Sequence, residues 1–507
     1  MTSRRADALA ALLLAVAAAS VLAGLGRLPA LTGDEAWLGL FAESLRLRGF
    51  FTPHEMNTYT GPLFGWAVMK TFAMRGVGTA SLRGVGACAN AAAFALLVAS
   101  LRRRVSPAAA AWGAALLAGS AYLLLKSRLA WDVYALQPLL LAATLALVDG
   151  PVRAPRALAF CAVTLLGVQN HFVYLSVPLS LSVLYLTRAS LLDEDGARPW
   201  LRLSLSALAM GAVVFLVKPR LTDAAWPDER VWAVPLFLAL APLSAAAALA
   251  GEWEGPLVAF FHETARVWTR RALGVGVAAF LVWHAPPLSE ALAGPVVWKR
   301  VLSWSAPWWL ALPLGVWSAF LLGLLAWRAA RAWHGVERMT PYERTLALWP
   351  AAYAGIFILF RNTSSLRYYS LAQFLCLASL AAALPRLPRP DRRAAAVFAA
   401  LAVAAAQGVF WSELAAPRDR RPLNFKVGWH AENSRDFARK DALFAAFDAS
   451  GACVAAHQER SFVALPLTFH RGETGPLPCD PALGFDADQC PDCSAPPFYR
   501  WAVVTRR

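Results

Sequence analysis

The sequence predicts an all-α polytopic membrane protein: a bundle of about thirteen transmembrane helices, a helical first outer loop, and a small extracytoplasmic domain at the C-terminus. Composition is the first reason. Hydrophobic residues make up 58% and charged residues 16%, against roughly 25% charged in soluble domains, and mean hydropathy is +0.48. The second is the recurrence of apolar segments at membrane-spanning length. The third is an alternation of arginine-rich loops, which assigns the net charge of +16 to one membrane side rather than to a nucleic-acid partner.

The spans fall at residues 7–26, 79–101, 107–127, 133–148, 157–170, 172–187, 201–217, 231–250, 272–288, 306–327, 346–360, 368–384 and 394–412. The first follows Thr2-Ser3-Arg4-Arg5 and is expected to be retained, not cleaved as a leader, because comparable segments follow it along the whole chain. With this basic end in the cytoplasm, alternate loops should be cytoplasmic. Those loops carry Arg102–Arg104, Arg153 and Arg156, Arg188 and Arg198, Arg270 and Arg271, Arg328, Arg331 and Arg338, then Arg386, Arg389, Arg392 and Arg393. An odd number of spans leaves the region after Trp411 outside. The chain therefore divides into a membrane domain, 1–415, and a soluble domain, 416–507. The latter holds Cys453, Cys479, Cys490 and Cys493, for which two disulfides, half of a zinc-type site, or free thiols all stand open. Cys88, Cys161 and Cys376 lie in apolar spans and read as packing residues.

The outer loops gather the polar groups that abut spans. They hold Asp34 and Glu35 at the mouth of the first span, Tyr59, Lys126, Arg128 and Asp132, Gln169, Asn170 and His171, and Arg361, Asn362, Arg367, Tyr368 and Tyr369. A charge in the bilayer costs about 2.5–3.5 kcal/mol on the lenient insertion scale, so such groups are functional candidates. Each has a plainer reading. The acidic pair would cap a helix beginning at Ala36, Arg128 and Asp132 at four-residue spacing would form a salt bridge, and His171 would be an interfacial hydrogen-bonding residue. Trp37, Trp131 and Tyr134 read as an interfacial aromatic belt.

The order of these features resembles the GT-C superfamily of integral-membrane glycosyltransferases, particularly the bacterial branch related to protein mannosyltransferases and the lipid A aminoarabinose transferase. Gly33-Asp34-Glu35-Ala36-Trp37-Leu38-Gly39-Leu40-Phe41-Ala42 is similar to that family's Asp-Glu motif, and Tyr59-Thr60-Gly61-Pro62-Leu63-Phe64 to the aromatic, Pro-Leu segment that follows. Leu82-Arg83, Ser127-Arg128 with Asp132, and Arg367-Tyr368-Tyr369 stand where relatives place their Arg, Arg-Asp and Arg-Tyr elements. The resemblance covers residues 7–385. Thr60 departs from it, since many relatives carry a Lys there that meets the lipid phosphate.

The resemblance implies a bundle of GT-C type and transfer of a sugar from a polyprenyl-phosphate donor to a lipid, glycan or protein acceptor at the outer face of the bacterial cytoplasmic membrane. Such a reaction needs a base for the acceptor proton and cations for the departing phosphate. Asp34 is the candidate base, with Glu35 orienting the acceptor or raising the proton affinity of Asp34. Lys126, Arg128 and Arg367 are candidates for the donor phosphate, and Tyr59, Asp132, His171 and Tyr368 for substrate contact. A divalent metal is open but nothing in the residues requires one, and no nucleic-acid partner is expected. The rival class is a transporter or flippase of lipid-linked saccharides without transfer, which ordinarily shows paired internal repeats and charges near helix centres.

Overall fold

A computed structural model describes residues 2–28, 31, 33–48, 61, 63–131, 135–222, 229–263, 307–335, 338–357 and 370–415. Among these residues the chain is helical, with no strand. Among the described residues six segments are long and apolar enough to cross a membrane: Ser3–Leu22, Thr79–Arg104, Phe172–Leu191, Asp195–Leu216, Trp308–Trp333 and Arg389–Ser412. The expected span at 272–288 and the expected soluble domain at 416–507, with its four cysteines, lie outside the described residues.

The first span is helix α1, Ser3–Leu22. Gly24 takes a positive φ of 57° just beyond it, where a side chain would also meet Leu414, so the helix stops there. The segment between α1 and the next span contains two helices, α2 (Gly33–Arg48) and α3 (Leu63–Arg75), before the chain turns into α4 (Thr79–Arg104). α2 and α3 pack against each other, and α3 against α4. Leu38, Phe41, Leu45, Phe64, Val68 and Phe72 form a small apolar core of their own there, shared with Leu82, Ala130 and Ala135.

The expected span at 107–127 is not one helix. It breaks into α5 (Pro107–Gly119) and α6 (Ala121–Lys126) at Ser120. The Ser120 hydroxyl accepts the Leu123 amide at 3.4 Å and the Gln373 side-chain amide at 3.1 Å. A serine that caps a new helix offers the backbone an alternative to continuing the old one.

The remaining described helices are α7 (Gln137–Leu147), α8 (Ala154–Asn170), α9 (Ser176–Leu191), α10 (Arg198–Thr222), α11 (Glu229–Leu249), α12 (Gly255–Glu263), α13 (Trp308–Trp333), α14 (Pro341–Phe357), α15 (Ser370–Ala383) and α16 (Arg389–Ala415). α5 sits at the centre, in contact with α1, α4, α15 and α16, while α8 to α11 pack around one another. Trp308, Trp309, Leu312 and Trp327 of α13 face outward, as expected where lipid rather than water is the solvent. Cys161 and Cys376 are buried, but Cys88 is exposed on α4 and is not a packing residue.

Two polar clusters mark the ends of the bundle. Arg83 and Arg104 sit 21 residues apart on α4, about 32 Å along a helix and close to the thickness of the hydrocarbon core. At the Arg104 end, buried Arg188 donates to Asp149 at 2.8 Å, Glu194 at 2.8 Å and Thr345 at 2.6 Å, and Arg344 pairs with Glu194. Arg104 lies 3.9 Å over the ring of Tyr342. These residues join the ends of α4, α7, α9 and α14, the loops that the sequence places together on the arginine-rich side.

Candidate active site

The opposite end is built on the first turn of α2. The helix begins at Gly33 rather than Ala36, so Asp34 and Glu35 lie inside that turn, where the backbone N–H groups and helix dipole favour anions. Glu35 is fully buried. Its two oxygens accept from Nε and Nη2 of Arg83, each at 2.7 Å, in a bidentate fork. The Arg83 side chain is equally buried, and its Nη1 donates to the Leu25 carbonyl at 2.8 Å. Glu35 Oε1 also accepts the Ala130 amide at 2.7 Å. One carboxylate therefore ties together the chain beyond α1, the start of α2, the start of α4 and the loop after α6. Asp34 shares the first turn thus anchored, and its side chain lies outside the described residues.

Arg128 is the second anchor. Its guanidinium donates to the Leu28 carbonyl at 2.9 Å, Val21 at 3.2 Å, Gly24 at 3.0 Å and also Ser20, with Phe410 5.0 Å from its carbon. Those bonds use four of the five N–H groups of an arginine. A cation on the last carbonyls of α1 also complements the dipole of that helix. Among the described residues these carbonyls hold Arg128; its expected partner Asp132 lies outside them. Asn90 supports the same loop, its amide reaching the carbonyls of Ser127 at 3.4 Å and Ala135 at 3.3 Å.

Lys126 ends α6, buried, with its ammonium 5.4 Å from the ring centre of Tyr122. His171 is buried at the end of α8. Its Nδ1 accepts the Val173 amide at 3.2 Å, which places the ring proton of a neutral imidazole on Nε2. Gly61 meets the same helix end: its amide donates to the Asn170 carbonyl at 3.1 Å, and a Cβ there would lie 1.6 Å from the Gln169 carbonyl oxygen. Tyr59, Arg367 and Tyr368 lie outside the described residues, as do Arg361, Asn362 and Tyr369. Among the described residues no group of three or more His, Cys, Asp or Glu is arranged to hold a metal.

The structure therefore brings Glu35, Arg83, Arg128 and the Ala130 amide together, with the end of α8 at the same end of the bundle. In the sequence Arg83 stands out only through the family resemblance, and nothing there marks its pairing with Glu35, 48 residues away. Paired burial of two opposite charges leaves no mark in hydropathy.

No protein-family model and no curated protein matches the sequence. Solved structures do. An oligosaccharyltransferase of Archaeoglobus fulgidus, tethered with an acceptor peptide containing the NVT sequon, superposes with a TM-score of 0.53 at 13% identity over 90% of this chain and 59% of that one. Its apo form gives 0.52 at 14% identity over 87% and 57%. ArnT from Cupriavidus metallidurans bound to undecaprenyl phosphate gives 0.34 at 15% identity over 74% and 78%, too loose an overlap to carry weight. The fold is that of the GT-C integral-membrane glycosyltransferases. This chain spans somewhat over half the length of the archaeal structures it matches.

Proposed function

We propose that this protein is a glycosyltransferase that moves a sugar from a polyprenyl-phosphate-linked donor to an acceptor at the outer face of the bacterial cytoplasmic membrane, with Asp34 as general base. The observation that carries the reading is the buried Glu35–Arg83 fork. An enzyme must hold its base in place relative to the donor, and here a charge-assisted, fully desolvated pair fixes the turn on which Asp34 stands. Glu35 has its oxygens on Arg83 and the Ala130 amide, so its role is to position that turn and not to take the acceptor proton.

With Arg128 committed to carbonyls, Arg367 and Lys126 are left to meet the donor phosphate. Tyr59, Asp132, His171 and Tyr368 would contact the substrates. In the reaction the acceptor oxygen or nitrogen attacks the anomeric carbon, its proton passes to Asp34, and the sugar–phosphate bond breaks with the electron pair leaving on the lipid phosphate. The arginine-rich cluster stands at the cytoplasmic end in this reading, which puts the N-terminus inside and residues 416–507 outside.

The test is conversion of polyprenyl-phosphate sugar by the purified protein in proteoliposomes. Release of polyprenyl phosphate with sugar appearing on an acceptor is expected, and Arg367→Ala should weaken the dependence on donor far more than on acceptor. Movement of labelled lipid-linked sugar across the bilayer without transfer would replace this reading with the flippase one.

A further inference from the structure

We infer that Gln137 and Gln169 form a recognition site for hydroxyl groups of the transferred sugar, an inference that rests on the glycosyltransferase reading. Gln137 opens α7 with none of its surface exposed, and its Nε2 donates across to the carbonyls of Gly167 at 3.2 Å and His171 at 3.3 Å. Those two bonds fix which end of the amide is nitrogen. Its oxygen then accepts nothing among the described residues. Gln169 stands in sequence between the same two carbonyls, is 3% exposed, and its Oε1 likewise has no donor among the described residues.

Two glutamines on different helices thus attend one turn, the last of α8, and each keeps a buried acceptor unengaged. A buried amide oxygen without a donor is destabilising, so a ligand hydroxyl that supplied one would be favoured at this turn. The chemistry selects that ligand. An amide oxygen receives an O–H or N–H but meets a phosphate oxygen lone pair to lone pair, so this turn suits the sugar and not the phosphate. The approach of Gly61 to Asn170 and Gln169 places the turn against the first outer loop, and Gln137 is seven residues beyond the Ala130 amide that holds Glu35. Cations would take the phosphate and neutral amides the sugar.

The experiment uses the full chain in detergent, titrated with undecaprenyl phosphate and with its mannosyl, glucosyl and aminoarabinosyl forms, binding being followed by tryptophan fluorescence. Gln169→Met is the decisive variant, because no hydrogen bond of the Gln169 side chain within the described protein is lost. Wild type should prefer at least one glycolipid over the bare lipid. Gln169→Met should reduce that preference about tenfold, the worth of one well-made hydrogen bond, while bare undecaprenyl phosphate binds unchanged; Gln137→Met should do the same. An unaltered preference, with unchanged or raised melting temperature, would overturn the inference and leave the glycosyltransferase reading standing. No preference for any glycolipid in wild type would refute both.

Discussion

Replacing either partner of the Glu35–Arg83 pair should cost far more than replacing both. Each oxygen of Glu35 sits 2.7 Å from a guanidinium nitrogen and neither side chain is exposed, so Arg83→Met strands a buried carboxylate and Glu35→Met a buried guanidinium. Breaking a buried pair in this way costs about 3–5 kcal/mol, whereas replacing both partners with apolar residues of similar volume is often near neutral. The Glu35→Met/Arg83→Met double variant should therefore be more stable than either single variant, with a coupling energy of at least about 3 kcal/mol. Reversible unfolding in mixed micelles titrated with SDS and followed by tryptophan fluorescence supplies the four free energies. The double variant should fold yet transfer no sugar, because the turn carrying Asp34 has lost its anchor. Additive single effects, within about 0.5 kcal/mol, would refute the account of the fork as a mutually dependent pair.

Gly61→Ala should destabilise the protein by about 1–3 kcal/mol, read in the same unfolding assay, because the added Cβ would fall 1.6 Å from the Gln169 carbonyl oxygen and backbone must shift to admit it. A cysteine placed at Arg103 should react with an impermeant thiol reagent only from the cytoplasm, and one at Asn362 only from outside; labelling of both from one side would overturn the sidedness. Near the start of α14, burial raises the Glu343 carboxyl, but the Thr340 amide and the Arg386 guanidinium outweigh it and hold the group below its ordinary 4.5. A depressed carboxylate contributes stability above the unfolded value and loses it as pH falls through the folded one. Glu343→Gln should thus lower the melting temperature at pH 7, and the difference from wild type should shrink below about pH 4.

Hydropathy exposed much of the fold because most apolar runs in a membrane must become helices, and the six described helices of spanning length overlap expected spans, whereas α12 lies between two of them. It could not see the break at Ser120, since α5 and α6 form one apolar run and the Ser120 hydroxyl at the interruption is met by Gln373, far along the chain. The mouth residues were legible as a group, for charges beside spans are costly and conspicuous. Their individual roles were not. The four-residue spacing of Arg128 and Asp132 is visible in a sequence, whereas the bonds of Arg128 to backbone carbonyls at and just beyond the end of α1 carry no residue signature. Arg188 looked like one more cytoplasmic arginine, yet it is buried among Asp149, Glu194 and Thr345 and ties α7, α9 and α14 together. Gln137 drew no notice because a glutamine opening an apolar run resembles a helix boundary until the turn it faces is known.

Whether Asp34 takes a proton during transfer of a lipid-linked sugar is read by comparing Asp34→Asn with wild type in proteoliposomes supplied with polyprenyl-phosphate sugar and acceptor. An amide matches a carboxylate in size but cannot accept the proton. Transfer should fall by at least about 100-fold, the lower range for loss of a general base, with melting temperature and donor binding unchanged. Turnover within a few-fold of wild type would contradict that role for Asp34.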